Sequence, residues 1–162
     1  MSAPVHDDLS ALAALPGPLM GLDLGTKTIG VAVSDGLRMT ATALETVRRT
    51  KFAADAARLE EIIAGRGIAA VVLGLPRNMD GSEGPRCQSA RAFARNLAAR
   101  VDRPIAFWDE RLSTVAAERA LLAADSSRKR RRKVIDKVAA AYILQGALDR
   151  LAALGRENGD DG

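Results

Sequence analysis

The sequence predicts one α/β domain with a mixed five-stranded sheet flanked by helices. Two apolar segments, residues 19–25 and 28–34, follow each other so closely that only a hairpin can join them, and they are therefore predicted to be antiparallel. Residues 68–74 form a short continuous apolar run, which is typical of a strand buried on both faces. After each of the last three predicted strands, apolar residues recur at the spacing of a helix. The length of 162 residues suits a single domain.

The remaining elements alternate between strand and helix along the chain. They are a third strand at 39–47, a helix at 50–64, a second helix at 89–101, a fifth strand at 104–108, a third helix that Ser113 caps and that runs to about 123, and a last helix at 136–154. Three antiparallel strands followed by alternating helices and strands predict a layered α/β fold.

The two ends of the chain are predicted to lie outside this domain. Residues 1–18 read as a flexible extension that ends in Pro-Gly-Pro, and residues 155–162 as a disordered acidic tail. The domain itself is predicted to span residues 19–154.

The positive charge of the chain is concentrated in one segment. Lysine and arginine number 24 against 20 acidic residues, for a net charge of +4. Six of these cations are consecutive, and without them the count is 18 against 20. They are Arg128, Lys129, Arg130, Arg131, Arg132 and Lys133. Such a run predicts contacts with nucleic-acid phosphates, which arginine grips with a planar fork.

Composition excludes several classes of chemistry. Cys87 is the only cysteine, so an intrachain disulfide and a cysteine-based zinc site are ruled out. His6 is the only histidine and lies in the N-terminal stretch outside the predicted domain, so no base is expected for Ser-His-Asp chemistry. The 3% aromatic content argues against a base-stacking platform. No segment has the length of a membrane span or the features of a secretory signal, so a cytoplasmic protein is expected. Any catalysis must therefore use carboxylates, hydroxyls and cations.

Three acidic positions fit poorly with a purely structural role. Asp23 interrupts an apolar strand, where a bare anion is costly to bury, although it could serve the glycine-rich turn that follows. Asp136 falls on the helix face that carries Ala139, Ala140 and Ile143, although a first-turn carboxylate can also cap a helix.

Asp109 and Glu110 end the fifth strand on opposite faces, and alternation alone does not choose between them. Separated carboxylates without histidine or cysteine predict a hard cation, Mg²⁺ or Mn²⁺. Together with the cationic run, they favour metal-dependent cleavage of nucleic acid.

Four blocks of the sequence are together similar to the YqgF/RuvX family, a ribonuclease H-like group also described as Holliday-junction-resolvase-like. The blocks are GLDLGTKTIGVAVSD at 21–35, VLGLPRNMDG at 72–81, WDERLST at 108–114 and DKVAAAYILQGALD at 136–149. The resemblance implies a ribonuclease H-like fold and a nuclease that processes the 5′ end of the 16S ribosomal RNA precursor, with a ribosomal particle as an expected partner. It also implies that Asp23, Glu110 and Asp136 are the catalytic residues and ligands of Mg²⁺ or Mn²⁺.

Further residues at strand ends are predicted to contact nucleic acid. They are Lys27, Arg77, Asn78 and Arg111, and the acids Asp80 and Glu83 in the same region are supplementary metal-ligand candidates. Three other functions stay open at this point: resolution of four-way DNA junctions, a non-catalytic nucleic-acid-binding role in ribosome assembly or transcription, and a chaperone- or kinase-type ATPase. The last needs two lobes, and the chain has room for one.

Overall fold

A computed structural model describes the backbone of residues 3–112 and 128–159, and the side chains of residues 3–112 and 137–156. Six strands of the described chain form one mixed sheet. In chain order they are β1 (Val5–His6), β2 (Leu19–Leu24), β3 (Thr28–Ser34), β4 (Ala41–Arg48), β5 (Ala70–Leu75) and β6 (Ile105–Asp109). Their order across the sheet is β1-β6-β5-β2-β3-β4. The strands β1, β6, β5 and β2 are parallel, and β3 and β4 complete an antiparallel meander.

Within the residues that the structure describes, three α-helices cover the two faces of the sheet. They are α1 (Phe52–Arg66), α2 (Pro85–Val101) and α3 (Arg128–Gly159). One core cluster lies between the sheet and α1 and α2, and contains Leu22, Leu73 and Phe107. The second lies between the sheet and α3, and contains Val72 and Ile143. The predicted α/β layers are thus confirmed, and each helix buries an apolar stripe against the sheet.

The prediction of five strands is wrong by one. The sixth strand, β1, pairs with the edge strand β6 and lies in the segment 1–18, which sequence analysis treated as a flexible extension. A 3-10 turn, Leu9–Leu12, follows it and buries both leucines. A two-residue strand is too short to show any periodicity, so only tertiary pairing reveals it.

The helix α3 begins before the predicted start at residue 136. It starts at Arg128 and includes the backbone of the whole cationic run, because lysine and arginine are good helix formers. At its other end it continues to Gly159, beyond the predicted limit of 154. The helix predicted from Ser113 to about 123 lies outside the described residues.

An arginine on the β3–β4 turn holds the N-terminal segment against the domain. Arg38 donates from Nε to the carbonyl oxygen of Gly17 at 2.7 Å, from Nη1 to that of Leu12 at 2.8 Å, and from Nη2 to that of Leu15. Arg38 itself sits in the left-handed region at φ 58°. Within the described parts of the chain, no helix combines the length and apolar character that crossing a membrane requires.

Candidate metal centre and nucleic-acid interface

Asp23 lies near the carboxyl end of β2 and faces helix α3. A Cβ placed on Gly21 would lie 2.7 Å from the Cβ of Leu144 in α3, so odd-numbered positions of this strand point to that helix. Asp23 is two residues further along and shares this face. Its side chain is buried, with 5% exposure. Carboxyl ends of strands are where open α/β sheets bind their ligands.

Glu110 lies on the same face as Asp23. Its Cγ is 3.3 Å from the position that a Cβ on Gly74 would occupy, and Cδ1 of Ile143 in α3 is 2.6 Å from that position. Asp109 alternates to the opposite face, that of Phe107. Strand alternation left open which of these two acids shares the face of Asp23, and the structure shows that it is Glu110.

On both sides of Asp23, the neighbouring strand has a glycine at the adjacent position. Asp23 pairs in register with Gly30 of β3. On its other side, Leu22 pairs with Leu73 of β5, and continuing this register by one residue brings Asp23 beside Gly74. Strands β2 and β6 are two strand spacings apart, roughly 10 Å. The glycine between them lets Cγ of Glu110 and Cδ1 of Ile143 lie close to the backbone of β5. Sequence analysis missed both glycines, although a strand-interior glycine signals close approach.

Asp136 lies on the helix that covers this face. The predicted apolar stripe is confirmed for Ala139, Ala140, Ile143 and Ala147, all of which are buried against the sheet. The alternative that Asp136 caps the helix is wrong, because the helix begins eight residues earlier, at Arg128. The side chain of Asp136 is outside the described set.

The residues present fit a divalent cation in part. Asp23 and Glu110 offer hard oxygen donors of the kind that Mg²⁺ and Mn²⁺ prefer, and the absence of a side chain at Gly74 lets Glu110 pack against β5. Among the described side chains, no three Asp, Glu, His or Cys residues are grouped closely enough to hold a metal ion. Asp136, the third predicted ligand, belongs to α3, and its side chain is not among those described.

Arg111 belongs to the 3-10 turn that follows β6 and is tied to Asp109. Its Nη2 lies 2.7 Å from Asp109 Oδ2, and its Nη1 donates to the carbonyl oxygen of Met79 at 3.4 Å. The hydrogen bonds from Arg111 lower the pKa of Asp109. Arg111 is thus a nucleic-acid candidate that already has an acidic partner, whereas Lys27 is exposed on the β2–β3 turn.

The loop between β5 and α2 contains the nucleic-acid candidates Arg77 and Asn78 and is stabilised by hydrogen bonds among its own residues. The amide of Asn78 donates to the carbonyl oxygen of Ser82 at 2.9 Å, and Asp80 accepts from the amide and hydroxyl of Ser82, which lowers the pKa of Asp80. Nη2 of Arg77 lies 3.5 Å from Glu83. These contacts keep Asp80 occupied within its own loop.

Glu83, the second supplementary acid, is held by Arg91. Nε and Nη2 of Arg91 donate to its two carboxylate oxygens at 2.6 and 2.7 Å, and these bonds lower the pKa of Glu83. The same guanidinium bonds to Asp7 at 2.8 Å and lies 4.9 Å from the ring centroid of Phe107. Glu83 therefore stabilises the loop and the N-terminal segment, on the side of the sheet away from Asp23.

The cationic run occupies the first turns of α3. Its backbone is helical from Arg128, and its six side chains lie outside the described set. Because the helix rises 1.5 Å per residue, Lys133 is about 4.5 Å along the axis from Asp136. The run therefore adjoins the helix position of the third predicted carboxylate.

Comparison with known proteins places these features in a family. The family model described as "RuvX: Holliday junction resolvase" matches residues 17–150. A protein of Cereibacter sphaeroides strain ATCC 17025, named "Putative pre-16S rRNA nuclease", is 70% identical over 156 residues, which cover 94% of this chain and 98% of that protein. A protein of the same name from Roseobacter denitrificans is 68% identical over 157 residues, covering 94% and 96% of the two chains.

Solved structures agree on the fold. RuvC of Thermus thermophilus in complex with a Holliday junction substrate superimposes with a TM-score of 0.52 and 15% identity, over 84% of this chain and 96% of that one. Another structure of the same RuvC gives a TM-score of 0.50 at 17% identity, over 83% and 96% of the two chains. This likeness confirms the ribonuclease H-like fold. With the family model matching most of the sequence, the chain belongs to the RuvX family.

Proposed function

We propose that this protein is a metal-dependent endonuclease that hydrolyses phosphodiester bonds in 5′-end processing of the 16S ribosomal RNA precursor. The observation that carries the proposal is the placement of Asp23 and Glu110 on one face, at the carboxyl edge of the sheet, around the side-chain-free position of Gly74. The names of the relatives indicate a substrate class. Asp23 is a buried carboxylate in an apolar strand, and its oxygens are hard donors of the kind that a divalent cation prefers.

Asp23, Glu110 and Asp136 would hold Mg²⁺ or Mn²⁺. When bound, such ions supply Lewis-acid stabilisation of the phosphoryl oxygens and lower the pKa of bound water. The protein holds both carboxylates on regular backbone. Asp23 is part of the central strand β2, and Glu110 is the first residue of the 3-10 turn that follows β6. Rigid placement of such groups is what preorganised catalysis requires.

The cationic run would position the substrate rather than read its sequence. Contacts from arginine and lysine to phosphates fix register and carry little base information. With six cations in the first two turns of α3, the run would draw the backbone of RNA towards the carboxylates. Lys27, Arg77, Asn78 and Arg111 surround the same edge of the sheet and would add contacts. Association with a precursor ribosomal particle follows from this role.

The proposal is tested by cleavage of a precursor 16S RNA transcript in the presence of Mg²⁺ or Mn²⁺. We expect the Asp23→Asn variant to lose at least about 100-fold in rate, because the neutral amide is a poorer ligand for a hard cation. The matched control is Asp102→Asn, which also removes one charge. Asp102 follows the far end of α2 at φ 49°, a left-handed conformation that asparagine tolerates well.

Equal cleavage by the wild type and Asp23→Asn would contradict the catalytic assignment. If the wild type cleaves nothing, while replacement of the six cations by glutamine abolishes RNA binding, the protein is a non-catalytic binding factor. Cleavage of a four-way DNA junction is the second candidate activity, because the matching family model is described as a Holliday junction resolvase. The same variants on a junction substrate separate the two activities.

A further inference from the structure

A cleft of ≈ 250 Å³ opens at the carboxyl edge of the sheet, immediately beyond Asp23. It is lined by the end of β2 and the β2–β3 turn on one side, and by the beginning of α2 on the other. Leu24, Gly25 and Thr26, which directly follow Asp23 in the chain, are part of the lining. Sequence analysis did not single out this cleft, because its two sides are about sixty residues apart in the chain.

Two arginines line the cleft. Arg49 follows β4 and is half-buried, and Arg86 is in the first turn of α2 and is exposed. One donor of Arg49, Nη1, bonds to the carbonyl oxygen of Gly25 at 2.6 Å, which holds the guanidinium over the turn. Within the described residues, neither arginine forms an ion pair, and no carboxylate lines the cleft.

The surroundings of the cleft add to its positive charge. Lys27 and Arg48 are both exposed and lie on adjacent strand ends, since Thr28 pairs with Arg48 and the carbonyl of Lys27 accepts from the amide of Arg49. Ser89 supplies a hydroxyl to the lining. Unpaired arginines beside hydroxyl groups in an acid-free cleft are suited to a phosphodiester, which accepts several charge-assisted hydrogen bonds.

The position of the cleft relates it to the candidate metal centre. Thr26 is three residues from Asp23, so their Cα atoms are no more than about 11 Å apart. With a rise of about 3.4 Å per nucleotide, this upper limit corresponds to at most about three nucleotides of a nucleic-acid strand. Asp23 faces α3, whereas Leu24 packs with the cluster under α1 and α2. A nucleic-acid strand that occupied both the cleft and the candidate metal centre would cross the edge of the sheet.

We propose that this cleft is a phosphate-binding subsite in which Arg49 and Arg86 hold the substrate strand on the side of the sheet opposite α3. The proposal rests on the proposed function for the identity of the substrate. The cationic run of α3 and the two arginines would then grip the strand on either side of the carboxylates. Such a two-sided grip positions a phosphodiester between them without any reading of sequence.

The test measures binding rather than cleavage, in an Asp23→Asn background that leaves the substrate intact. The variants are Arg86→Gln, Arg49→Gln and the double variant, with Arg66→Gln as the control. Arg66 is an exposed arginine in the last turn of α1 and does not line this cleft. The probes are a fluorescein-labelled single-stranded RNA of about 20 nucleotides and a four-way DNA junction, titrated by anisotropy between about 50 and 200 mM salt.

Each single variant is expected to weaken RNA binding about three- to tenfold and to reduce the magnitude of the slope of log K against log salt by about 0.7. The double variant is expected to reduce the magnitude of this slope by about 1.4. Arg86→Gln is decisive, because Arg86 makes no described contact whose loss would unfold the turn. Weaker binding to RNA, the junction or both supports the subsite and identifies its ligand. Affinities and slopes equal to those of Arg66→Gln for both probes would overturn it. Absence of cleavage by the wild type would contradict the proposed nuclease and leave this binding result standing.

Discussion

At the scale of single residues, the site depends as much on glycine as on carboxylate. Asp23 was predictable from the sequence, because an acid in an apolar strand stands out. The roles of Gly30 and Gly74 were not, since their meaning comes from which strands lie beside β2. The choice of Glu110 over Asp109 likewise required the register of β6 against β5. An unusual residue within one strand is visible in the sequence, whereas the residues beside it on adjacent strands are known only from the structure.

Replacement of Gly74 by alanine tests the importance of the missing side chain at this position. The new methyl would meet Ile143 Cδ1 at 2.6 Å and Glu110 Cγ at 3.3 Å, and Ile143 is fully buried. We expect a loss of about 1–3 kcal/mol in the free energy of unfolding, measured in urea, from overpacking. The rate of RNA cleavage should also fall, on the order of 100-fold, because the new methyl displaces Glu110.

The matched control for this substitution is Gly65→Ala. Gly65 lies in α1 with no atom within 4 Å of an added Cβ, so alanine there should raise the unfolding free energy by about 0.5–1 kcal/mol and leave cleavage unchanged. Full cleavage by a folded Gly74→Ala protein would show that the space beside Glu110 is not needed.

At the scale of elements, the apolar strands and helices were predictable and the short or charged ones were not. Continuous apolar runs identify β2 and β5, but β1 has only two residues and depends on pairing with β6. The start of α3 was predicted at residue 136 because apolar residues at helical spacing begin there, whereas the six preceding cations show no apolar periodicity although lysine and arginine favour helix. Burial of Leu9 and Leu12 shows that the N-terminal segment packs on the domain.

Arg38→Gln tests whether the contacts of Arg38 hold that segment in place. The variant leaves the carbonyls of Leu12, Leu15 and Gly17 without their shared donor. We expect the free energy of unfolding to fall by about 1–3 kcal/mol, and amide exchange to accelerate over residues 9–17. Arg95→Gln, at an exposed arginine of α2, is the control. Identical exchange in the two variants would mean that the segment is held by its leucines alone.

At the scale of the whole molecule, acidic and basic groups are arranged around one edge of the sheet. The net charge of +4 hides this arrangement, because the six-residue cationic run accounts for all of the excess. Sequence analysis identified that run as a phosphate contact, and this remains a prediction. It could not identify Arg49 and Arg86 as a pair, because only the packing of α2 beside the β2–β3 turn brings them to one cleft.

The central claim is that Asp23 and Glu110, with Asp136, form one metal centre. A crystal structure of the protein soaked in Mn²⁺, with anomalous data, tests it most directly. We predict anomalous density within about 2.5 Å of carboxylate oxygens of both Asp23 and Glu110, beside Gly74. The Asp23→Asn protein, soaked in the same way, should lose this density. Manganese bound only at the loop acids Asp80 and Glu83, or no density beside Gly74, would contradict the claim.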